Sequence, residues 1–339
     1  MTSETLLSFP YKRKYLNLDY LWNNLITLDL VSPKLMEAPN YWIRPTKYLY
    51  YNMFNLNHNY TLVFIIPDDA YDKLNVLTDY FTEEARMKAK RKGNITPYQF
   101  YYKNYEKLVK QGEEMMGNVK VGERLPLEHY VREAIYLSNC ECNTFNIALA
   151  KSIYKFFNSK IVLDPSAGWG DRILGAIGAG VEVYHGVDPN GNLINGYNEI
   201  LNMIKKRTGN DKYLLYIEDF LNVEVPENSY DTVFTSPPFY DYEIYSEETN
   251  QSIYGKKTIE EWLNLFLYPY LMKSWQALIY NGYLILYVSD VKNTYFVGKM
   301  HSYIINTLKM NFLGIAAWTD SNLSKSHPIW CYQKRIVKV

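Results

Sequence analysis

The chain is poor in cysteine, carries no net charge and contains no long apolar run. Only three cysteines occur, Cys140, Cys142 and Cys331. So sparse and odd a set, without regular spacing, gives no disulfide framework and points to a reducing compartment. Cys140-x-Cys142 has the look of half a metal site, but no second Cys/His pair lies near it, so no metal is expected. The 36 basic side chains balance the 36 acidic ones over 339 residues. That balance excludes a globally basic nucleic-acid coat and an acidic solvating chain, while leaving room for a local patch. The longest apolar stretches, such as Leu62 to Pro67, fall far short of a membrane span. The first residues, MTSETLLSFPYKRKY, lack an apolar core followed by a small-residue cleavage site, so no signal peptide is expected. Repeats and low-complexity segments are absent. These lacks predict an intracellular globular protein with no membrane partner.

What is present is a chain with 47% hydrophobic and 21% charged residues, enough apolar surface for a core and no basis for intrinsic disorder. Its length predicts one or two domains. Tyrosine is in excess, at 34 residues, and the AT-rich codons it shares with Asn, Lys, Ile and Phe make a biased genome the plainest reason. The character of the chain changes between residues 110 and 135. Before that point aromatic-rich segments surround one strand candidate, Thr61 to Ile66, and a charged helical stretch from about Asp79 to Arg91. Gln111 to Pro126, with Gly112, Gly117, Gly122 and Pro126, reads as a connector. Residues 1–125 are therefore expected to form an N-terminal α+β accessory region, a candidate for nucleic-acid recognition, and residues 126–339 a catalytic domain.

The second half is regular. Helical spacing covers Asn146 to Phe157, followed by an apolar strand at Lys160 to Leu163, a glycine-bearing turn and a helix. Strands at Val183 to Val187, Tyr213 to Ile217 and Thr232 to Thr235 follow, with a helix over Leu193 to Arg207. A long helix from Ile259 to Leu278 is predicted to stop at Asn281-Gly282. Strands come next at Tyr283 to Ser289, Phe312 to Trp318 and Ile329 to Val337. Short apolar strands alternating with helices imply an α/β fold with a mostly parallel sheet covered on both faces. The last two strands, with no long helix between them, suggest an antiparallel hairpin at one edge.

The turn Asp164-Pro-Ser166-Ala-Gly168-Trp-Gly170-Asp171-Arg172 joins a buried strand to a helix. In open α/β sheets ligands collect at the carboxyl ends of strands, and glycine lets backbone approach them. Gly186-Val-Asp188-Pro-Asn190 ends the next strand with a carboxylate placed to accept hydrogen bonds from ribose hydroxyls. The turn is not G-x-G-x-x-G, and Asp164 puts negative charge where a pyrophosphate would sit, which argues against a nicotinamide dinucleotide. A carboxylate there suits S-adenosylmethionine, which carries a positive centre and an amino group. Asp219 and Phe220 end the third strand and are candidates for a contact to the adenine amine and an apolar wall. In order and spacing this half of the chain, from roughly Asn143 onward, resembles the class I methyltransferases. The resemblance implies a Rossmann-like domain with a mostly parallel seven-stranded sheet.

At the end of the fourth strand stands Thr235-Ser236-Pro237-Pro238-Phe239-Tyr240. Two prolines straight after a buried strand end its hydrogen-bond ladder, which packing alone does not call for. The pattern resembles the (Asp/Asn/Ser)-Pro-Pro-(Tyr/Phe/Trp) motif of methyltransferases acting on planar exocyclic amines. An aryl amine attacks poorly because its lone pair is delocalised into the ring. A side-chain oxygen at Ser236 and the Pro237 carbonyl can each accept one amine hydrogen, drawing the nitrogen toward tetrahedral geometry, and the prolines hold that carbonyl rigid. Phe239 is a candidate platform for the target base, and Tyr240 lies beside it. The catalytic candidates are thus Ser236, Pro237, Pro238 and Phe239. No cysteine lies near this motif, which argues against covalent attack on a base.

Serine preceded by threonine is most like the cytosine-N4 enzymes of DNA, with adenine-N6 close behind. The following Tyr240-Asp-Tyr-Glu243 run, Trp262 and Gly282-Tyr-Leu-Ile-Leu-Tyr-Val-Ser289-Asp290 are similar to phage, bacterial and large-DNA-virus amino-methyltransferases. Upstream, Glu141-Cys-Asn-Thr-Phe145-Asn146 resembles the segment that in those enzymes contacts the methionine end of the cofactor, with Ile147 and Ala148 where the family has a second glycine. The order departs from many cytosine-N4 enzymes, in which Ser-Pro-Pro precedes the cofactor motif. The resemblance implies a nucleic-acid partner, DNA favoured over RNA; an RNA adenine methyltransferase and a catalytically silent binding subunit are the alternatives. Residues 84–110 hold eight basic residues, among them Arg86, Lys88, Lys90, Arg91 and Lys92, against two acidic ones. With Phe100, Tyr101, Tyr102 and Tyr105 these could neutralise phosphates and stack bases, or form a solvated helix face with tyrosines packed beneath it. His327 and Asn322, near the final hairpin, are expected to be structural.

Overall fold

Apolar strands and amphipathic helices alternate from residue 147 onward in the computed structural model, which describes residues 8–29, 32–37, 60–68, 73–91, 95–241, 244–245, 249–290, 294–320 and 326–335. The strands are β1 (Lys34–Glu37), β2 (Tyr60–Ile66), β3 (Ile161–Asp164), β4 (Val183–Asp188), β5 (Tyr213–Ile217), β6 (Tyr230–Thr235), β7 (Leu278–Tyr287), β8 (Asn311–Asp320) and β9 (Ser326–Gln333). They form one sheet in the order β1-β2-β8-β9-β7-β6-β3-β4-β5. Strands β3 to β7 are mutually parallel, while β9 runs antiparallel to both β7 and β8. The result is a Rossmann-like α/β fold with a C-terminal hairpin, and among the described residues its sheet has nine strands rather than seven.

The two extra strands come from the N-terminal region. β2 lies parallel to β8, with Val63 beside Ala317, and β1 pairs antiparallel with β2. Leu62, Phe64, Leu74 and Leu77 share one buried cluster with Ile147, Ile173 and Phe234. The expected boundary at residues 125 and 126 therefore does not separate two cores. A composition shift marks a change in local pattern, and strands far apart in sequence still pair where one edge of the sheet is open.

The helices are α1 (Leu18–Thr27), α2 (Val76–Met87), α3 (Pro97–Lys103), α4 (Tyr105–Gly117), α5 (Leu127–Leu137), α6 (Ile147–Phe156), α7 (Asp171–Ala179) and α8 (Ile194–Thr208). Asn146 caps α6 through the Leu149 N–H, and Thr96 closes a capping box with Gln99 at α3. The connector expected over Gln111 to Pro126 begins as helix, because α4 runs on to Gly117, and holds a 3-10 turn at Val121–Glu123. Gly112 is buried in that helix, where a Cβ would lie 2.9 Å from Val131 of α5, so this glycine marks a close helix crossing and not a break.

The expected long helix from Ile259 opens with a capping box at Thr258 as a short α9 (Ile259–Trp262), widens to a π turn at Leu263–Leu267, and continues as α10 (Tyr268–Ala277). It stops before Asn281-Gly282, because Leu278 already pairs with Tyr230. Asn281, at φ +65°, instead bends β7 between that pair and the Thr232–Tyr283 pair. Asn-Gly signals a positive-φ position equally well in a helix stop and in a strand irregularity. The last helix, α11 (Val297–Asn306), returns the chain to β8.

Candidate active site

The strand order reverses between β3 and β6: the chain moves outward through β4 and β5 on one side and through β7 on the other. A crevice opens at the carboxyl ends of strands at such a point. The glycine turn leaves β3 there, and the Ser-Pro-Pro segment leaves β6 there. Both border one cavity of about 1060 Å³, which Ser166, Gly168, Asp188, Ser236, Pro238 and Phe239 all help to line.

The glycine turn is held from beneath by charge. Asp164 is fully buried and paired with Arg172 of α7, Nε to Oδ2 at 2.7 Å and Nη2 to Oδ1 at 3.2 Å. The Tyr184 hydroxyl donates to Oδ2 at 2.6 Å and the Ser166 N–H to Oδ1 at 3.3 Å. Asp164 does not line the cavity, which corrects its expected role as a countercharge to the ligand. A carboxylate without solvent requires a partner, and the first turn of α7 brings Arg172 back to it. Gly168 has φ +61° and Gly170 φ +100°. A Cβ at Gly170 would also lie 2.8 Å from Ile200 of α8, whereas at Gly168 nothing stands within 3.8 Å. Gly170 itself does not line the cavity; it turns the chain into α7.

Asp188 accepts the Gly168 N–H at 2.9 Å on Oδ2 and the Asn190 N–H at 3.0 Å on Oδ1. It ties the glycine turn to the end of β4. Asn190 lines the cavity, and its Oδ1 accepts the Asn192 N–H at 3.1 Å. Asp171 lines the cavity as well: Thr78 of α2 donates its hydroxyl to Oδ1 at 2.5 Å and the Phe145 N–H donates to Oδ2 at 3.1 Å. Burial pushes both Asp171 and Asp188 up to about 6, the accepted hydrogen bonds holding back a larger rise. Phe145, fixed by Asp171, sets its ring edge-on to Phe234 and to Tyr287, with centroids 5.6 and 5.1 Å away.

Asp219 and Phe220 are not among the residues that line the cavity. Asp219 Oδ1 accepts the Leu221 N–H at 2.9 Å. Phe220 is buried against Tyr270, its centroid 5.2 Å away, and Lys273 donates to its carbonyl at 2.7 Å. Their expected contacts to an adenine are replaced by packing of the segment after β5 onto α10. Asn250, which lines the cavity, donates to the Pro189 carbonyl at 2.8 Å, while its own Oδ1 has no partner among the described residues.

At the end of β6, Ser236 and Pro238 are half-buried, while Pro237 is buried and outside the cavity lining. Tyr270 bridges the two motifs: its hydroxyl lies 2.8 Å from Ser166 Oγ and 3.0 Å from Thr235 Oγ1. Phe239 borders the cavity but is only 9% exposed, packed in the cluster around Trp262. Tyr240, at φ +53°, turns its ring onto Trp262 at 5.7 Å and does not line the cavity. The aromatic residues of the motif are thus largely spent on packing.

The basic segment divides. Lys88 and Arg91 line the cavity mouth; Lys88 pairs with Glu84 at 2.6 Å, and Arg91 donates to the Asn139 carbonyl at 2.8 Å. Lys90 does not line the cavity; its N–H donates to the Tyr245 carbonyl at 2.9 Å. Lys92 and Asn322 lie outside the described residues. Arg86 is no surface cation: it is buried between Asp79 and Glu141, and Glu141 also pairs with the fully buried Arg132. Tyr101 is fully buried as well, as in a helix face with tyrosines packed beneath it.

Sequence reasoning missed Thr78, Tyr270 and Trp318, and set His327 aside. The last two pair across the β8–β9 hairpin and line the cavity. No local signal marks them, since each acquires its place through strand order. Among the described residues no group of three or more His, Cys, Asp or Glu is placed to hold a metal ion. No helix among them is long and apolar enough to cross a membrane.

No family model matches the chain, and no curated protein does. Solved structures with similar folds include the tRNA m1G37 methyltransferase of M. jannaschii, at 12% identity and a TM-score of 0.35 over 56% of this chain and 47% of that one. A SAM-dependent O-methyltransferase from Thermotoga maritima gives 10% identity and a TM-score of 0.38 over 58% of this chain and 69% of that one. The tRNA (m1A58) methyltransferase of Aquifex aeolicus gives 12% and 0.36 over 58% and 72%. This chain thus spans less than half the length of the first of these proteins. Likeness at this level assigns no substrate.

Proposed function

We propose that the protein transfers a methyl group from S-adenosylmethionine to an exocyclic amine of a nucleic-acid base, cytosine N4 or adenine N6, with DNA favoured over RNA. One observation carries the reading. The glycine turn after β3 and the Ser-Pro-Pro segment after β6 flank the point of strand reversal and border the same cavity.

The residues on the β3–β4 side suit the cofactor. Asp188 offers a carboxylate to ribose hydroxyls, Gly168 leaves open space beside the turn, and Phe145 and Asp171 border the region toward the methionine end. When bound, the cofactor supplies an electrophilic methyl group on a sulfonium. The chain's part is to hold the acceptor nitrogen. Ser236 Oγ, which borders the cavity, accepts one of its hydrogens and draws its lone pair out of conjugation. The two prolines that follow fix the backbone there in advance, so little reorganisation accompanies transfer. The Tyr270 bridge keeps Ser166 and Thr235 in register, and with them the two motifs.

The test is incubation with S-adenosylmethionine and separate pools of duplex DNA, single-stranded DNA and RNA, followed by mass spectrometry of the nucleosides. N4-methylcytosine or N6-methyladenine in the deoxy series supports the proposal in full. The same bases in the ribo series replace DNA by RNA. No methylated base in any pool, with the cofactor bound, overturns it.

A further inference from the structure

In sheet order β6 stands between two groups of strands, and the cavity spans both. On one side β3 and β4 carry Ser166, Gly168 and Asp188. On the other, β7, β9 and β8 carry Tyr287, Ser289, His327 and Trp318. Trp318 and His327 are cross-strand partners, and their rings stack with centroids 5.1 Å apart at 18°. The Trp318 indole N–H donates to the Tyr287 hydroxyl at 3.3 Å, and the Tyr287 ring lies 5.1 Å from that of Phe145. The rings therefore form one braced aromatic wall, running along the cavity from the hairpin to Phe145. Among the described residues, the lining contributed by β7, β8, β9 and the Ser-Pro-Pro segment includes no Asp, Glu, Lys or Arg. Asp290, next along, is turned to the N-terminus of α11, where it accepts the Phe296 and Val297 N–H groups at 2.8 and 2.9 Å.

We infer that this wall is the acceptor subsite, and that Trp318 and His327, rather than Phe239 and Tyr240, form the platform for a neutral planar heteroaromatic ring: a single base out of its stack. The inference rests on the methyl-transfer reading for the direction of the site, with the cofactor on the β3–β4 side of Ser236. A charged acceptor, such as a carboxylate or an ammonium, would meet rings and hydroxyls on this wall, which has no Asp, Glu, Lys or Arg among its described residues. A flat base meets aromatic surface, and its amine meets Ser236. A stacked duplex cannot present one ring to such a wall, so the base must be extruded or the strand already single.

The probes are free cytidine and adenosine, with ribose as the control that lacks a base. Each is titrated by NMR into full-length protein saturated with S-adenosylhomocysteine, which keeps the nucleosides out of the cofactor side. Both nucleosides should bind and ribose should not. Trp318→Ala should weaken nucleoside binding about fivefold or more, the range expected for loss of a stacking platform. Trp318→Phe should keep most of the affinity, and His327→Ala should weaken it in a protein that still unfolds cooperatively. His327→Ala carries the test if Trp318→Ala fails to fold. Nucleoside affinity unchanged in both alanine variants, ribose binding as well as cytidine, or no nucleoside binding to the loaded wild type would each overturn the inference. A wild type that binds no S-adenosylhomocysteine, yet binds nucleosides through Trp318, would keep the wall and discard the methyl-transfer reading.

Discussion

Asp188 offers the sharpest test of the cofactor side, because its chemistry predicts opposite pH trends for binding and for folding. Its carboxylate accepts two backbone N–H groups, at 2.9 and 3.0 Å, and burial raises it from 3.8 to about 6. The ionised form is the one that accepts ribose hydroxyls. S-adenosylhomocysteine affinity should therefore be level above about pH 7 and fall below about 6, levelling off at the affinity of the uncharged side chain. Asp188→Asn keeps the shape but loses the charge. A hydrogen bond to a charged group contributes about 1.5–3 kcal/mol, so the variant should bind about 10- to 150-fold more weakly at pH 7.5. Asp171, raised equally, stays in both proteins, so the difference between their pH profiles isolates Asp188. For folding the sign reverses. A carboxylate raised by burial stabilises the fold when protonated; that contribution is full below about pH 4 and is lost as pH rises through about 6. The stability of Asp188→Asn relative to wild type should thus improve between pH 4 and 7, by up to about 3 kcal/mol for a shift near two units. Calorimetric titration and urea unfolding at four pH values read both trends. Equal affinity in the two proteins at pH 7.5, with parallel pH profiles, would refute the assignment of Asp188 to the cofactor.

Ser236→Ala should lower methyl transfer by about a hundredfold, the scale for loss of one preorganised transition-state contact, with S-adenosylhomocysteine affinity within about twofold by the same calorimetry; weakened cofactor binding would count against its role. Arg132→Ala removes the guanidinium paired with Glu83 and shared with Arg86 at Glu141, in a region without solvent, and urea unfolding should show a loss of about 3–5 kcal/mol. Gly170→Ala combines a φ of +100° with a 2.8 Å approach to Ile200, and should lose about 1–3 kcal/mol in the same assay. Lys88→Glu, at the cavity mouth, should weaken polynucleotide binding and flatten its salt dependence by about one unit of slope; an unchanged slope would remove Lys88 from the phosphate path.

Most strands and helices after residue 147, the crevice at the strand reversal and the two motifs were legible in the sequence, because each is written in neighbouring residues: apolar runs, a glycine turn, two prolines after a buried strand; α11 (Val297–Asn306) was not read. Their meeting in one cavity follows from parallel strand order, which the alternation itself implies. What only the tertiary structure decided lies at long separation. Thr78 reaches Asp171 from 93 residues away, and Lys12 takes its place beside Asp79 from the far end of the N-terminal region. Asp164 looked like a ligand contact and is a buried anchor for Arg172; Arg86 looked like a surface cation and is enclosed by Asp79 and Glu141. A charge in a sequence has no stated environment, and burial converts it from a binding group into a structural one only once its partner is in place. Trp318 and His327 show the same limit from the other side. Nothing beside them in the chain marks a site, and the hairpin that pairs them and places them on the cavity that Ser236 also lines exists only in the folded sheet.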